Sequence, residues 1–158
     1  MGMKPTDFEE TIIFLASKLK GYQYVIRGTA SLVLQGIDMN VDDIDIISDK
    51  RGALACNKIF KDYLLEEVKY QESEKFKSYF GKFKINDVPV EVMGEWEIKT
   101  PKGKWVDPFD GSERKEIRIR GKTVWVTTVE EELKSFAAMG RWNAYWKVKN
   151  QFPLDKAR

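Results

Sequence analysis

The 158-residue chain contains no histidine and a single cysteine, Cys56. Without histidine there is no imidazole base and no His-ligated metal site, and one cysteine excludes an intrachain disulfide and a zinc cluster. Any metal must therefore be held by carboxylates, which favours magnesium or manganese. Charge of one sign is scarce in net terms: 27 basic against 25 acidic residues leave +2, too little for a large nucleic-acid footprint. No apolar run approaches the ~18 residues a membrane span needs, and the N-terminus has no apolar signal region. A soluble, cytoplasmic protein without a membrane partner is the expectation. No repeat or low-complexity tract is present.

What is there is enough to build a core: hydrophobic residues make up 42% of the chain, in a length typical of one domain. The chain is expected to form one α+β domain over 1–158, with flanking helices on a mixed sheet. Its motif region is 22–93, and a C-terminal hairpin and helices occupy 115–150.

Apolar residues at Phe8, Ile12, Leu15, Ala16 and Leu19 recur at helical spacing and predict a helix over 7–20, stopped by Gly21. Residues 22–27 read as a strand, broken by Gly28-Thr29, and 30–35 as a short helix ended by Gly36. In 43–47, acid alternates with isoleucine. Period two places Ile44 and Ile46 on one face and Asp43 and Asp45 on the other, with their Cα atoms roughly 6.5–7 Å apart. Asp42 falls outside that alternation and reads as an exposed loop acid.

A second long amphipathic helix is expected over 52–67, its stripe made by Leu54, Ile59, Tyr63, Leu64 and Val68. Strands over 76–85 and 88–93 flank an Asn86-Asp87 turn, and Pro89 marks a strand start or an edge. The segment 95–106 should turn at Pro101-Lys102-Gly103. A hairpin turning at Gly121-Lys122 would pair Ile119 with Val124, Ile117 with Val126 and Arg118 with Trp125. Thr127 or Thr128 caps a final helical region whose apolar stripe is Phe136, Met139, Trp142 and Trp146. Trp142, Tyr145 and Trp146 read as packing residues, with stacking on a nucleotide base as the alternative.

Two features carry chemistry. Gly28-Thr29, at a strand-to-helix junction, lets backbone approach an anion and offers helix N-terminal amides. Asp43 and Asp45 can converge on a metal or a metal pair. A third acid would complete such a site. Glu91, between Val90 and Val92, is the candidate, with Glu95 and Glu97 as nearby competitors. Arg27 could meet a phosphate or pair with one of the acids.

The spacing of Gly28-Thr29, thirteen residues, then Asp43-Ile44-Asp45-Ile46 resembles the signature of the DNA polymerase β-like nucleotidyltransferase superfamily. In size the chain is similar to the small stand-alone, or minimal, members. The resemblance covers 22–48 well and extends to 88–93. It implies that Gly28 and Thr29 bind nucleotide phosphates, with Arg27 beside them. Asp43, Asp45 and Glu91 would be the catalytic, metal-holding carboxylates, with magnesium or manganese as cofactor. The implied activity is transfer of a nucleoside monophosphate from an NTP to an unspecified acceptor (protein, RNA or small molecule) by metal-assisted in-line attack.

Two departures stand out. Thr29 replaces the usual Gly or Ser, keeping a hydroxyl and adding a methyl. Toxin-like relatives carry a late Lys, for which Lys134 could stand as a phosphate or substrate contact, and a late Asp, where this chain has only Asn143. The alternative reading is a catalytically inactive nucleotide-binding or regulatory module, such as one half of a toxin–antitoxin pair with a small helical partner protein.

Overall fold

The computed structural model describes residues 5–109 and 113–152. Among these residues, five α-helices flank one mixed sheet. Helix α1 (Pro5–Lys18) buries the stripe expected of it: Phe8, Ile12, Leu15, Ala16 and Leu19 are all in the core. Gly21, with φ +91°, turns the chain into β1 (Tyr24–Arg27). Helix α2 (Gly28–Leu34) follows without a break, and β2 (Ile44–Ser48) returns antiparallel to β1.

Helix α3 (Lys50–Ile59) is capped by Asp49, whose carboxylate accepts from Gly52 N at 2.7 Å. It is much shorter than its sequence predicts. A 3-10 turn (Lys61–Tyr63) ends it, and Leu64 and Val68 lie on strand β3 (Leu64–Glu72). The segment LLEEVKYQE consists mainly of good helix formers, but pairing with β4 (Phe76–Ile85) overrides that preference. Asn57 fixes the junction: its side chain accepts from Val68 N at 2.7 Å and donates to Val68 O at 2.9 Å. Leu54 is exposed; α3 instead turns Ala53 and Cys56 inward. Small residues permit the close approach, since a Cβ on Gly94 would lie 2.6 Å from the Ala53 Cβ.

Strand β4 turns through Asn86-Asp87, both at positive φ (54° and 64°), into β5 (Val88–Lys99). Pro89 sits at the start of this strand, which is central rather than an edge. Glu95 and Trp96 together face Ser78, a bulge in which Glu95 adopts φ 51°. Past the turn at 100–104, β6 (Trp105–Val106) pairs back on β5.

The last hairpin joins β7 (Arg114–Ile119) to β8 (Lys122–Thr127). Its turn is Arg120-Gly121, one residue earlier than expected, so Ile117 pairs with Val124 and Arg118 with Thr123. Both turn residues take positive φ, 51° and 79°, which suits Gly at the second position. The shift preserves parity, and the apolar face survives. The cation–π pairing does not: Arg114, not Arg118, lies over Trp125, 3.9 Å from its centroid.

Thr128 caps helix α4 (Val129–Ala138), accepting from Glu131 N at 3.0 Å. A break at Gly140 (φ +72°) separates it from α5 (Trp142–Lys149). The expected continuous stripe is therefore split. Phe136 is buried, whereas Trp142 and Trp146 are exposed, so they are not core residues.

The sheet order is β3-β4-β5-β2-β1-β8-β7, with β6 on β5. One face packs on α1 and α3 through Ile44, Ile46, Val90 and Val92. No helix among the described residues is long and apolar enough to cross a membrane.

Candidate active site

The face opposite α1 and α3 carries the acids, as alternation requires once Ile44 and Ile46 are buried. Register then aligns a row of charges across five strands. Arg27 pairs with Asp45, Asp45 with Glu91, Glu91 with Lys82 and Lys82 with Glu66. Two carboxylates thus stand side by side on neighbouring parallel strands, where spacing is about 4.8 Å. Asp43, just before β2, joins them. One ligand oxygen from each of Asp43, Asp45 and Glu91 can be chosen so that all three lie within 4.8 Å of one another. Glu95 is drawn away to the Lys50 amide at 3.2 Å, and Glu97 is exposed. Asp42 is exposed, as expected.

Arg27 is nearly buried. It donates to Asp45 Oδ2 at 3.1 Å, and its guanidinium lies 4.5 Å from the centre of the Trp96 ring. One guanidinium cannot balance the cluster. Burial pushes the Asp45 carboxyl up to about 7; Arg27 pulls it down, but Asp43, Glu91 and Glu132 push with the burial. Asp43 is raised by burial and by Asp42, and Glu91 by burial and by Asp43. Asp45 Oδ1 is buried with no hydrogen-bond partner among the described residues. An orphaned carboxylate oxygen beside two further carboxylates fits a divalent cation bound by oxygen.

Gly28 adopts φ +73°, and a Cβ there would lie 3.3 Å from Asp45 Oδ2. Its amide, however, is already engaged: Gly28 N donates to Glu132 Oε2 at 2.8 Å. Glu132 is fully buried and also accepts from Thr127 Oγ1 at 2.6 Å. The Ser31 hydroxyl donates to Thr127 O at 2.8 Å, and Gln35 Nε2 donates to the same oxygen at 2.8 Å. This polar network ties α2, β8 and α4 together behind the acids. Sequence reasoning missed Glu132. It is one of three successive glutamates, and nothing local distinguishes it from its neighbours. Thr29 is half-buried at the first turn of α2. Lys134 points elsewhere on α4 from Glu132 and pairs with Glu131 at 3.2 Å.

No family model matches the sequence, and no curated protein matches it by sequence. Solved structures do match in fold. A Thermotoga maritima protein provisionally assigned as a nucleotidyltransferase superposes with a TM-score of 0.80 at 27% identity, over 94% of each chain. The lincosamide antibiotic adenylyltransferase LnuA, solved with lincomycin, matches at TM-score 0.58 and 16% identity, over 94% of this chain and 98% of that one. ANT(2″)-Ia, solved with adenylyl-2″-tobramycin, matches at 0.54 and 13%, over 97% and 92%. The chain therefore has the nucleotidyltransferase fold and belongs to the nucleotidyltransferase-fold superfamily.

Proposed function

We propose that this protein is a metal-dependent nucleotidyltransferase that moves a nucleoside monophosphate from an NTP to an acceptor hydroxyl. The observation that carries the reading is the convergence of Asp43, Asp45 and Glu91 from two neighbouring strands. Asp43, Asp45 and Glu91 would hold magnesium or manganese, which would supply positive charge against the charge that develops on the reacting oxygens.

The chain's own groups do the rest. Thr29 offers its hydroxyl and amide to the outer phosphates at the start of α2. Gly28, its amide spent on Glu132, contributes the absence of a side chain where phosphate must pass close to Asp45. Arg27 holds the Asp45 carboxylate in place and adds positive charge to the phosphate side of the site. Lys134, an exposed cation on α4 paired with Glu131, would serve as a phosphate or substrate contact. Glu91 takes the proton from the acceptor hydroxyl. The acceptor oxygen then bonds to the α-phosphorus as the bond to the bridging oxygen breaks, and pyrophosphate leaves on the opposite side.

The test is ATP binding measured with and without magnesium, in wild type and in Asp43→Ala/Asp45→Ala. Wild type should bind ATP about tenfold or more tightly with magnesium, equivalent to roughly 1.4 kcal/mol. The double variant should lose that dependence. Identical binding in all four conditions would refute the assignment.

A further inference from the structure

A cavity of about 300 Å³ opens beside Asp45 and Glu91, bounded by β3, β4 and β5. We infer that it receives the acceptor, and that the acceptor is a small amino alcohol with an apolar ring rather than a nucleic-acid end or a protein side chain. The inference rests on the nucleotidyltransferase reading above and adds the substrate class to it.

Position comes first. In-line displacement needs the attacking and leaving oxygens on opposite sides of phosphorus. The strand order places Gly28 and Thr29, after β1, on one side of the carboxylates, and β4 and β3 on the other. Phosphates held at the start of α2 leave the β5–β4–β3 side for the incoming hydroxyl. Arg27 and Asp45 line the cavity on the β1–β2 side, and Glu91 lines it from β5.

Size and chemistry narrow the class. The volume is at the lower end for small-molecule sites and matches one ring system with short substituents. Phe76 and Trp96 stack with centroids 6.0 Å apart and planes 25° from parallel, and both line the cavity together with Phe80 and Met93. These surfaces would cover an apolar ring. Carboxylates line the same cavity: the half-buried Asp45 and Glu91, and the exposed Glu72. Among the described residues that line the cavity the one cation is Arg27, already paired with Asp45 and packed on Trp96. Glu72 accepts a hydrogen bond from the Tyr70 hydroxyl at 2.8 Å and is otherwise exposed to an incoming donor. Glu72 is the lining carboxylate outside the metal-holding set, and it disfavours phosphodiesters and carboxylates here and attracts an ammonium group.

The probes are 2-amino-1-phenylethanol, 1-phenylethanol, mandelic acid and a short oligo(A) RNA. Their binding to the full chain is measured by saturation-transfer NMR without nucleotide or metal. The amino alcohol should bind most tightly, about tenfold ahead of mandelic acid. Glu72→Gln should cut its advantage over 1-phenylethanol by about threefold, and Phe76→Ala should weaken both neutral and cationic probes. Manganese binding, followed by water-proton relaxation, should match wild type in both variants and so show that they fold. Equal or tighter binding of mandelic acid or RNA, or an amino-alcohol preference unchanged in both variants, would overturn the proposal. Failure here leaves magnesium-dependent ATP binding intact, whereas failure of the nucleotidyltransferase reading shows in the Asp43→Ala/Asp45→Ala experiment.

Discussion

At the scale of single residues, Gly28 shows how little space the site leaves. Its φ of +73° disfavours any L side chain, and an added Cβ would crowd Asp45 Oδ2 at 3.3 Å. Gly28→Ala should lower stability by about 1–2 kcal/mol in urea denaturation; an unchanged midpoint would contradict the strained geometry. Asp45 makes a second prediction, on pH. Its carboxyl stands at about 7 in the folded chain, against about 3.9 when unfolded. Between those values the native state binds more protons than the unfolded state, so stability is highest below the unfolded value and falls as pH rises through 7. Asp43 and Glu91 are raised too and act in the same direction. The metal-free protein should therefore melt at a lower temperature at pH 8 than at pH 5, and Asp45→Asn should flatten that slope. A melting temperature that climbs with pH would show the cluster to be ionised and already balanced.

At the scale of elements, the Glu132 network decides where α4 sits. Removing the carboxylate strands the buried Gly28 amide, at about 1–3 kcal/mol, and takes from Thr127 Oγ1 its shortest partner, leaving it Ser31 Oγ at 3.0 Å. Glu132→Ala should cost about 2–4 kcal/mol in chemical denaturation. Glu132→Gln, which keeps an acceptor oxygen, should cost less than half as much. Equal losses would mean that packing, not these bonds, holds the helix. Most elements could be read in advance from period and turn chemistry: α1 from its apolar stripe, β4 and β5 from the Asn86-Asp87 turn. The failures came where long-range pairing outweighed local preference. LLEEVKYQE looks helical, but β4 offers it a partner ladder and Asn57 clips it in place. Trp142 and Trp146 sit at helical spacing from Phe136, but the break at Gly140 turns them outward.

At the scale of the whole molecule, the five-strand charge row is the organising feature. It places two like charges, Asp45 and Glu91, next to each other with Asp43 close by, an arrangement that opposes folding unless a cation relieves it. Manganese should therefore raise the melting temperature, by the equivalent of about 2.7 kcal/mol at a hundred times its dissociation constant. The increase should be larger at pH 8 than at pH 5, where protons compete for the same oxygens. Asp43→Ala/Asp45→Ala should show no such increase. A shift of equal size in that variant would place the ion elsewhere.

From sequence alone, the placing of Asp43 and Asp45 on one side of the chain was determined, because alternation is a local property of extended backbone, although β2 begins at Ile44 and Asp43 lies just before it. So was the exclusion of a histidine-ligated metal and of a thiolate cluster, because the chain has no histidine and only one cysteine, Cys56. That Glu91, rather than Glu95 or Glu97, stands beside Asp45 was decided only by tertiary structure. The parallel register of β2 on β5 sets that neighbour, and the bulge at Glu95 redirects its competitor to Lys50. Glu132 beneath Gly28 is likewise a product of the fold, since 104 residues separate the two partners and no local pattern links them.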